Sequence, residues 1–358
     1  MEISEVDENL RVETDLSEPD LVFLDAKKAP FTLYGVFYDE AEKCYLRMPA
    51  EAANAVSASV RGLSRCTAGG RVTFRTDSPY IAIRAVMKNN RLMSHITLLG
   101  QSGFDCYHRV EGKDRYFFSF MPPMGMTEGY SAGRFTDGKM SDYTLNFPLY
   151  DGVKELYIAL KKGSHIESFV PYKDRPVVYY GSSITQGGCA SRPGNAYTAI
   201  LSRRLGVDHI NLGFSGSCHG EPAMADYLAG LDMRVLVCDY DHNARSVADL
   251  KASLPDFYHR VRAARPELPI LFLSAGDSLL KGDRAPWNEG YETRRQIVRG
   301  VYEEALVAGD RHVAYVDGYT LLCGEEWDAC TVDGTHPNDF GFYRMALAIE
   351  PTLKTLLN

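Results

Sequence analysis

Ser183 lies in the stretch VVYYGSSITQGG, residues 177–188, just past a β-branched and aromatic run that ends at Gly181. A glycine there permits a sharp turn, which leaves the serine hydroxyl at a strand tip. Such a hydroxyl can act as a nucleophile when a base takes its proton. The competing reading is a serine that only shapes the turn. Late in the chain, CTVDGTHPNDFGF, residues 330–342, places Asp333 and His336 in a Gly- and Pro-rich loop before the final helix. An imidazole is a suitable base, and a carboxylate beside it fixes its tautomer and stabilises the imidazolium. Asp339 reads as the N-cap of that helix.

Two further stretches supply groups that could stabilise an anionic oxygen. NLGFSGSCHG, residues 211–220, has glycines at 213, 216 and 220 that let backbone approach a ligand. The N–H of Gly216 can face an oxyanion; a merely flexible loop is the alternative. VLVCDYDHNA, residues 235–244, delivers Asp239, Asp241, His242 and Asn243 to one strand end. The Asn243 amide can donate to a developing oxyanion, a role worth about 3–4 kcal/mol, or these side chains can cap the next helix. Asp241 is also a candidate substrate contact, as is Arg192 in CASRPGNAY, for an anionic or sugar group; a solvated loop arginine is the alternative there.

Spacing alone does not decide among these. Asp-x-x-His occurs four times: Asp105/His108, Asp239/His242, Asp256/His259 and Asp333/His336. The pair at 239/242 rivals the last, and Asp239, Asp241 and His242 could together hold a metal. The literal string GDSL, Gly276–Leu279, makes Ser278 a second candidate nucleophile.

The elements that must position these residues follow from periodicity. From about residue 175 strand and helix patterns alternate. Strands are predicted at 176–180, 208–212, 234–239, 268–273 and 312–317, with helices at 196–205, 221–230, 246–264, 291–308 and 339–356. Such alternation predicts a mostly parallel sheet with helices on both faces, whose ligands bind beyond the carboxyl ends of the strands. Residues 1 to about 172 instead carry short strand-like runs at 71–76, 80–88, 115–120 and 154–160, separated by turn signals, the pattern of a β-sandwich. The boundary falls near SFVPYKDRP, residues 168–176, giving domains 1–172 and 173–358. The stretch 121–135, MPPMGMTEGYSAGRF, reads as a long apolar loop that overhangs the crevice.

Composition narrows the classes. The chain has 358 residues, 45% hydrophobic and 24% charged, with net charge −8; the pI is about 5.6. This disfavours nucleic acid and anionic membrane as partners, and no apolar run is long enough to span a bilayer. The first twenty residues hold eight acids and one base, unlike a secretory signal. The eight cysteines form no CxxC pair and read as reduced thiols of a cytoplasmic protein, with no ligand-spaced zinc cluster. Oligomeric state is not legible.

In this order, the motifs resemble those of the SGNH (GDSL-type) hydrolase superfamily, over about residues 175–358. The resemblance places Ser183 at the nucleophile, with Ser182 where the family has Asp. It places Gly216 and Asn243 at the oxyanion positions, although DYDHN departs from the usual block and leaves His242 as an alternative to Asn243. Asp333 and His336 take the remaining triad positions. The front half, with SGFDCY, resembles the β-rich GxDLY module, Cys106 standing where that signature has Leu. The implied fold is a three-layer, flavodoxin-like α/β domain with a parallel sheet, preceded by a jelly-roll-like β-sandwich. The implied activity is ester hydrolysis through a Ser-His-Asp triad, with the Ser183 and Gly216 N–H groups and the Asn243 amide as oxyanion donors. No cofactor and no metal are required. The implied substrate is a small-molecule or carbohydrate ester, a short acyl group on a sugar being the expectation. Acyl transfer from the same intermediate is one alternative. A catalytically silent glycan-binding protein, using aromatics such as Tyr34, Phe37, Tyr38, Phe104 and Tyr107, is another.

Overall fold

The computed structural model of the chain describes residues 16–88, 92–276 and 285–358. They form two compact units, both interrupted in sequence. One comprises the residues up to Leu46, Arg65–Pro171 and Arg192–Gly194; the other comprises Arg47–Ser64, Tyr172–Ser191 and Asn195–Asn358. Ser278 lies outside the described residues.

The first unit is β-rich. Leu21–Asp25, Val153–Lys161, Tyr80–Met87 and Gly129–Phe135 form one antiparallel sheet, in that order. Ile166–Glu167, Arg71–Thr76, Ser141–Asn146, Phe104–Val110 and Lys113–Phe120 form a second, with Thr32–Tyr34 also paired to Arg71–Thr76. Ile81, Ile83, Leu156 and Ile158 of the first sheet share a buried core with Val72, Phe74, Phe104 and Leu145 of the second, which makes the unit a sandwich. The expected loop over 121–135 is corrected in part, because Gly129–Phe135 is a strand. Its glycines hid it. A Cβ at Gly133 would stand 2.1 Å from the Tyr80 hydroxyl oxygen, and one at Gly129 2.1 Å from the Ala85 carbonyl oxygen. Close packing, not turn formation, demands glycine at both places.

In the GxDLY-like segment, Asp105 is fully buried. It accepts from the Asn146 amide (2.8 Å), from Arg192 Nη1 (2.6 Å) and from the Gly194 N–H (3.0 Å). The same Arg192 nitrogen donates to the Tyr107 hydroxyl at 2.6 Å. Phe104 and Tyr107 are core residues, at 0% and 4% exposure, so neither offers a face to a glycan.

The second unit is built on five parallel strands. In chain order these are Val177–Gly181, His209–Gly213, Val235–Asp239, Ile270–Leu273 and Val313–Val316, and in space they run second, first, third, fourth, fifth. This is the doubly wound, flavodoxin-like order, with its switch point beside the first strand. Every residue of the first and third strands is buried, as expected for strands covered on both faces. Tyr197–Leu205 packs with Asp339–Leu356, while Pro222–Ala229, Val247–Ala264 and Ala285–Val307 form a second contacting series. The short helices Ala50–Val56 and Ala58–Leu63 also belong here, and Ala53 and Val60 join the core of this unit. Residues so far upstream gave no sign of that placement. No helix among the described residues is long and apolar enough to cross a membrane. All eight cysteines are free, and only Cys323 is exposed.

Candidate active site

The first strand ends at Gly181 because nothing larger fits: a Cβ would stand 2.1 Å from Thr185 Oγ1 and 2.5 Å from the Asp239 carbonyl oxygen. The chain then turns into the short helix Ser183–Gln186, whose N-cap Ser182 accepts the Ile184 N–H. Ser182 thus braces the turn. Ser183 is 8% exposed, and its Oγ lies 2.8 Å from His336 Nε2.

His336 and Asp333 come from the tight loop between Cys330 and the final helix. A bridge between Thr331 and Pro337 closes it, with hydrogen bonds from Val332 N–H to the His336 carbonyl (3.0 Å) and from Asn338 N–H to the Cys330 carbonyl (2.9 Å). Asp333 Oδ2 is 2.7 Å from His336 Nδ1. Its Oδ1 accepts the backbone N–H groups of His336 (2.7 Å) and Thr335 (3.0 Å). Burial pushes the Asp333 carboxyl upward, but these hydrogen bonds outweigh it and hold the pKa below the ordinary value. An ionised Asp333 keeps the ring proton on Nδ1 and leaves the Nε2 lone pair for the Ser183 hydroxyl.

The expected cap is corrected. Asn338 caps the final helix, accepting the Gly341 N–H. Asp339 instead accepts the Ser191 N–H (2.8 Å), the Ser191 hydroxyl and the Asn195 amide (2.8 Å), and so ties the loop after Ser183 to the helix that follows His336.

The second and third strands flank the first in register, Gly181 facing both Gly213 and Asp239. Gly216 and Asn243 therefore leave the same carboxyl edge as Ser183. Gly216 is exposed, with φ +66°. Its neighbours are fixed: Phe214 N–H donates to the Gly181 carbonyl (2.8 Å), Ser217 N–H to the Phe214 carbonyl (2.9 Å) and Ser215 N–H to Gln186 Oε1 (3.0 Å). Asn243 does not cap the next helix, because Ser246 does. The Asn243 side-chain oxygen is buried without a hydrogen-bond partner among the described residues.

The remaining candidates sit elsewhere. Asp241 is 2% exposed, and its Oδ2 accepts the Ala275 N–H at 2.8 Å, so it ties the third strand end to the fourth. Burial foremost raises its pKa to about 6. Arg192 is engaged with Asp105 and Tyr107 in the β-rich unit. Asp239, the acid of the rival pair, points to Thr185 Oγ1 (2.8 Å) and the Tyr197 hydroxyl (3.3 Å). Burial, with the Asp241 charge adding to it, pushes its pKa to about 8. Among the described residues no group of three His, Cys, Asp or Glu side chains has the arrangement of a metal site.

Sequence reasoning missed the residues that lock the two loops together. Asn211 donates from Nδ2 to the Thr185 carbonyl (2.7 Å) and accepts the Gly213 N–H (2.9 Å). Gln186 holds Ser215. Asn211 did stand in the quoted NLG stretch, but nothing local distinguishes a strand asparagine that braces from one that is solvated.

The family model for the GDSL-like lipase/acylhydrolase family matches residues 174–354, about half the chain. The model for the GxDLY N-terminus of SGNH-hydrolase-type esterases matches residues 21–166. No curated protein matches the sequence significantly. Among solved structures, a protein of Bacteroides ovatus described as a GDSL-like lipase is similar at 27% identity and TM-score 0.83, over 94% of this chain and 98% of that one. The salicylyl-acyltransferase SsfX3 of a tetracycline biosynthetic pathway shares the fold at 20% identity and TM-score 0.78, over 95% and 98%. A family two carbohydrate esterase of Clostridium thermocellum, solved with cellohexaose, shares it at 15% identity and TM-score 0.55, over 81% and 93%.

Proposed function

Because the chain belongs to the GDSL-like lipase/acylhydrolase family and is an enzyme of esterase type, we propose that it cleaves a short-chain acyl ester of a carbohydrate through Ser183, His336 and Asp333. The observation that carries this reading is the continuous chain of hydrogen bonds from Ser183 Oγ through His336 to Asp333, at 2.8 and 2.7 Å. His336 Nε2 takes the Ser183 proton as Oγ attacks the ester carbonyl. Asp333 stabilises the imidazolium. The N–H groups of Ser183 and Gly216 and the Asn243 amide receive the oxyanion. His336 then gives its proton to the departing alcohol oxygen, and the C–O bond to that alcohol breaks. Water attacks the acyl-enzyme by the same route and regenerates Ser183.

The sugar ester is put forward by analogy with the carbohydrate esterases that share the fold, and it rests on that analogy alone. The acyl-enzyme can equally pass its acyl group to an alcohol, as an acyltransferase would. A panel of acetylated sugars and p-nitrophenyl esters of rising chain length, with products identified by mass spectrometry, tests both points. Fastest turnover of acetylated sugars to free acetate supports the proposal. Preference for long-chain esters, or acyl transfer to the added alcohol in place of acetate release, overturns that part of it.

A further inference from the structure

Arg47 lies far upstream of the hydrolase-family match, yet it belongs to the α/β unit and is 3% exposed. Its Nη1 donates to the carbonyls of Asn211 (2.9 Å) and Gly213 (2.8 Å), and its Nη2 donates to the Leu63 carbonyl (2.8 Å). The guanidinium carbon stands 5.0 Å from the centre of the Phe214 ring. A rigid fork of this kind can serve several acceptors at once, which a lysine ammonium on its flexible stem does less well.

The position of those carbonyls matters. The Gly213–Phe214 peptide is gripped at both ends: Arg47 holds its carbonyl, and its N–H donates to the Gly181 carbonyl two residues before Ser183. The Asn211 side chain takes the Gly213 N–H. Side chains of Gln186 and Asn211, together with the first strand, thus hold the donor side of this loop. Arg47 alone, of the side chains described as bonded to the Asn211 and Gly213 carbonyls, holds the acceptor side. Gly216 follows three residues later.

We infer that Arg47 is a positioning residue for catalysis: by clamping the Asn211 and Gly213 carbonyls it sets the loop that presents the Gly216 N–H to the oxyanion. The inference rests on the assignment of Ser183 and Gly216 above. It assigns a role in the reaction to a helix-leading segment that precedes most of the β-rich sequence.

The test compares Arg47→Met and Arg47→Lys with wild type and with Ser183→Ala. Measured are p-nitrophenyl acetate kinetics, thermal melting, the rate of fluorophosphonate labelling, and the fraction of protein labelled at completion. For Arg47→Met, kcat should fall roughly 10–100-fold with KM changed less than about twofold, as for a donor displaced by a fraction of an ångström. The labelling rate should fall in proportion, because the phosphonyl oxygen occupies the oxyanion position, while the final fraction labelled stays near wild type. Arg47→Lys should lie between the two. A purely structural role would instead lower the melting temperature and the fraction labelled, leaving the rate per active molecule unchanged; that result overturns the inference, as does a folded Arg47→Met of wild-type kcat. If Arg47→Met does not fold, Arg47→Lys decides by the same criteria, and failure of both to fold also overturns it. Retained hydrolysis in Ser183→Ala would refute the underlying assignment instead, whatever Arg47 does.

Discussion

Asp333→Asn should impair hydrolysis without disturbing the fold, and the size of the loss follows from the geometry. Asp333 Oδ1 accepts two backbone N–H groups, at 2.7 and 3.0 Å. An asparagine keeps those bonds by leaving its oxygen in that place, which turns its NH2 group toward His336 Nδ1. Nδ1 must then accept, so the ring proton moves to Nε2, the atom 2.8 Å from Ser183 Oγ. In that tautomer the imidazole cannot take the serine proton. The comparable exchange in a serine-protease triad costs about 10⁴ in kcat. The Asp333 side chain here is 40% exposed, so water compensates part of the loss, and a fall of roughly 10²–10³, about 3–4 kcal/mol, is expected. KM should change little. Steady-state hydrolysis of p-nitrophenyl acetate, alongside circular dichroism, measures both. A folded Asp333→Asn with kcat within threefold of wild type would refute the proposed role of the carboxylate.

Three further outcomes are expected. Asp239, buried, has its pKa raised from 3.8 to about 8, so the native state keeps a proton that the unfolded chain releases above about pH 4. That contribution is complete below the unfolded value and is lost as pH rises toward 8; Asp239→Asn should therefore flatten the decline of melting temperature between pH 5 and 8, and parallel curves for the two proteins would contradict this. Gly181→Ala forces a Cβ to 2.1 Å from Thr185 Oγ1 and should cost about 1–3 kcal/mol with lowered kcat; an unchanged midpoint in urea would count against the close packing at the turn. Asn243→Ala should lower kcat about 10²–10³-fold while His242→Ala does so by less than tenfold; the reverse order would give the oxyanion role to His242.

Much of the α/β half is legible because its strands are buried on both faces. Runs such as VVYYG and VLVCD have no solvent side to confuse with a helix, and each ends in polar or glycine residues at the crevice. The proposed triad emerges only from combining motifs, since Asp-x-x-His alone offered four choices. The structure separates them by partner: Asp239 turns to Thr185 and Tyr197, Asp256 to Arg260 and Asp105 to Arg192, whereas Asp333 takes the ring of its own histidine. What remained hidden depends on distant contacts. Arg47 meets Asn211 across 164 residues, and no local pattern announces such a bond. Arg192 looked like a loop cation because its partner, Asp105, lies 87 residues earlier. Gly129 and Gly133 resembled loop glycines although each is required by a neighbour in the sheet. Asp339 sat one residue from the true cap.

Covalent capture puts the nucleophile assignment to its most direct trial. Wild-type protein treated with a fluorophosphonate, digested and sequenced by mass spectrometry should carry one adduct, on the peptide containing Ser183, and Ser183→Ala should carry none. An adduct on Ser278 or another serine, or a Ser183→Ala protein that still labels and hydrolyses at the wild-type rate, would contradict it.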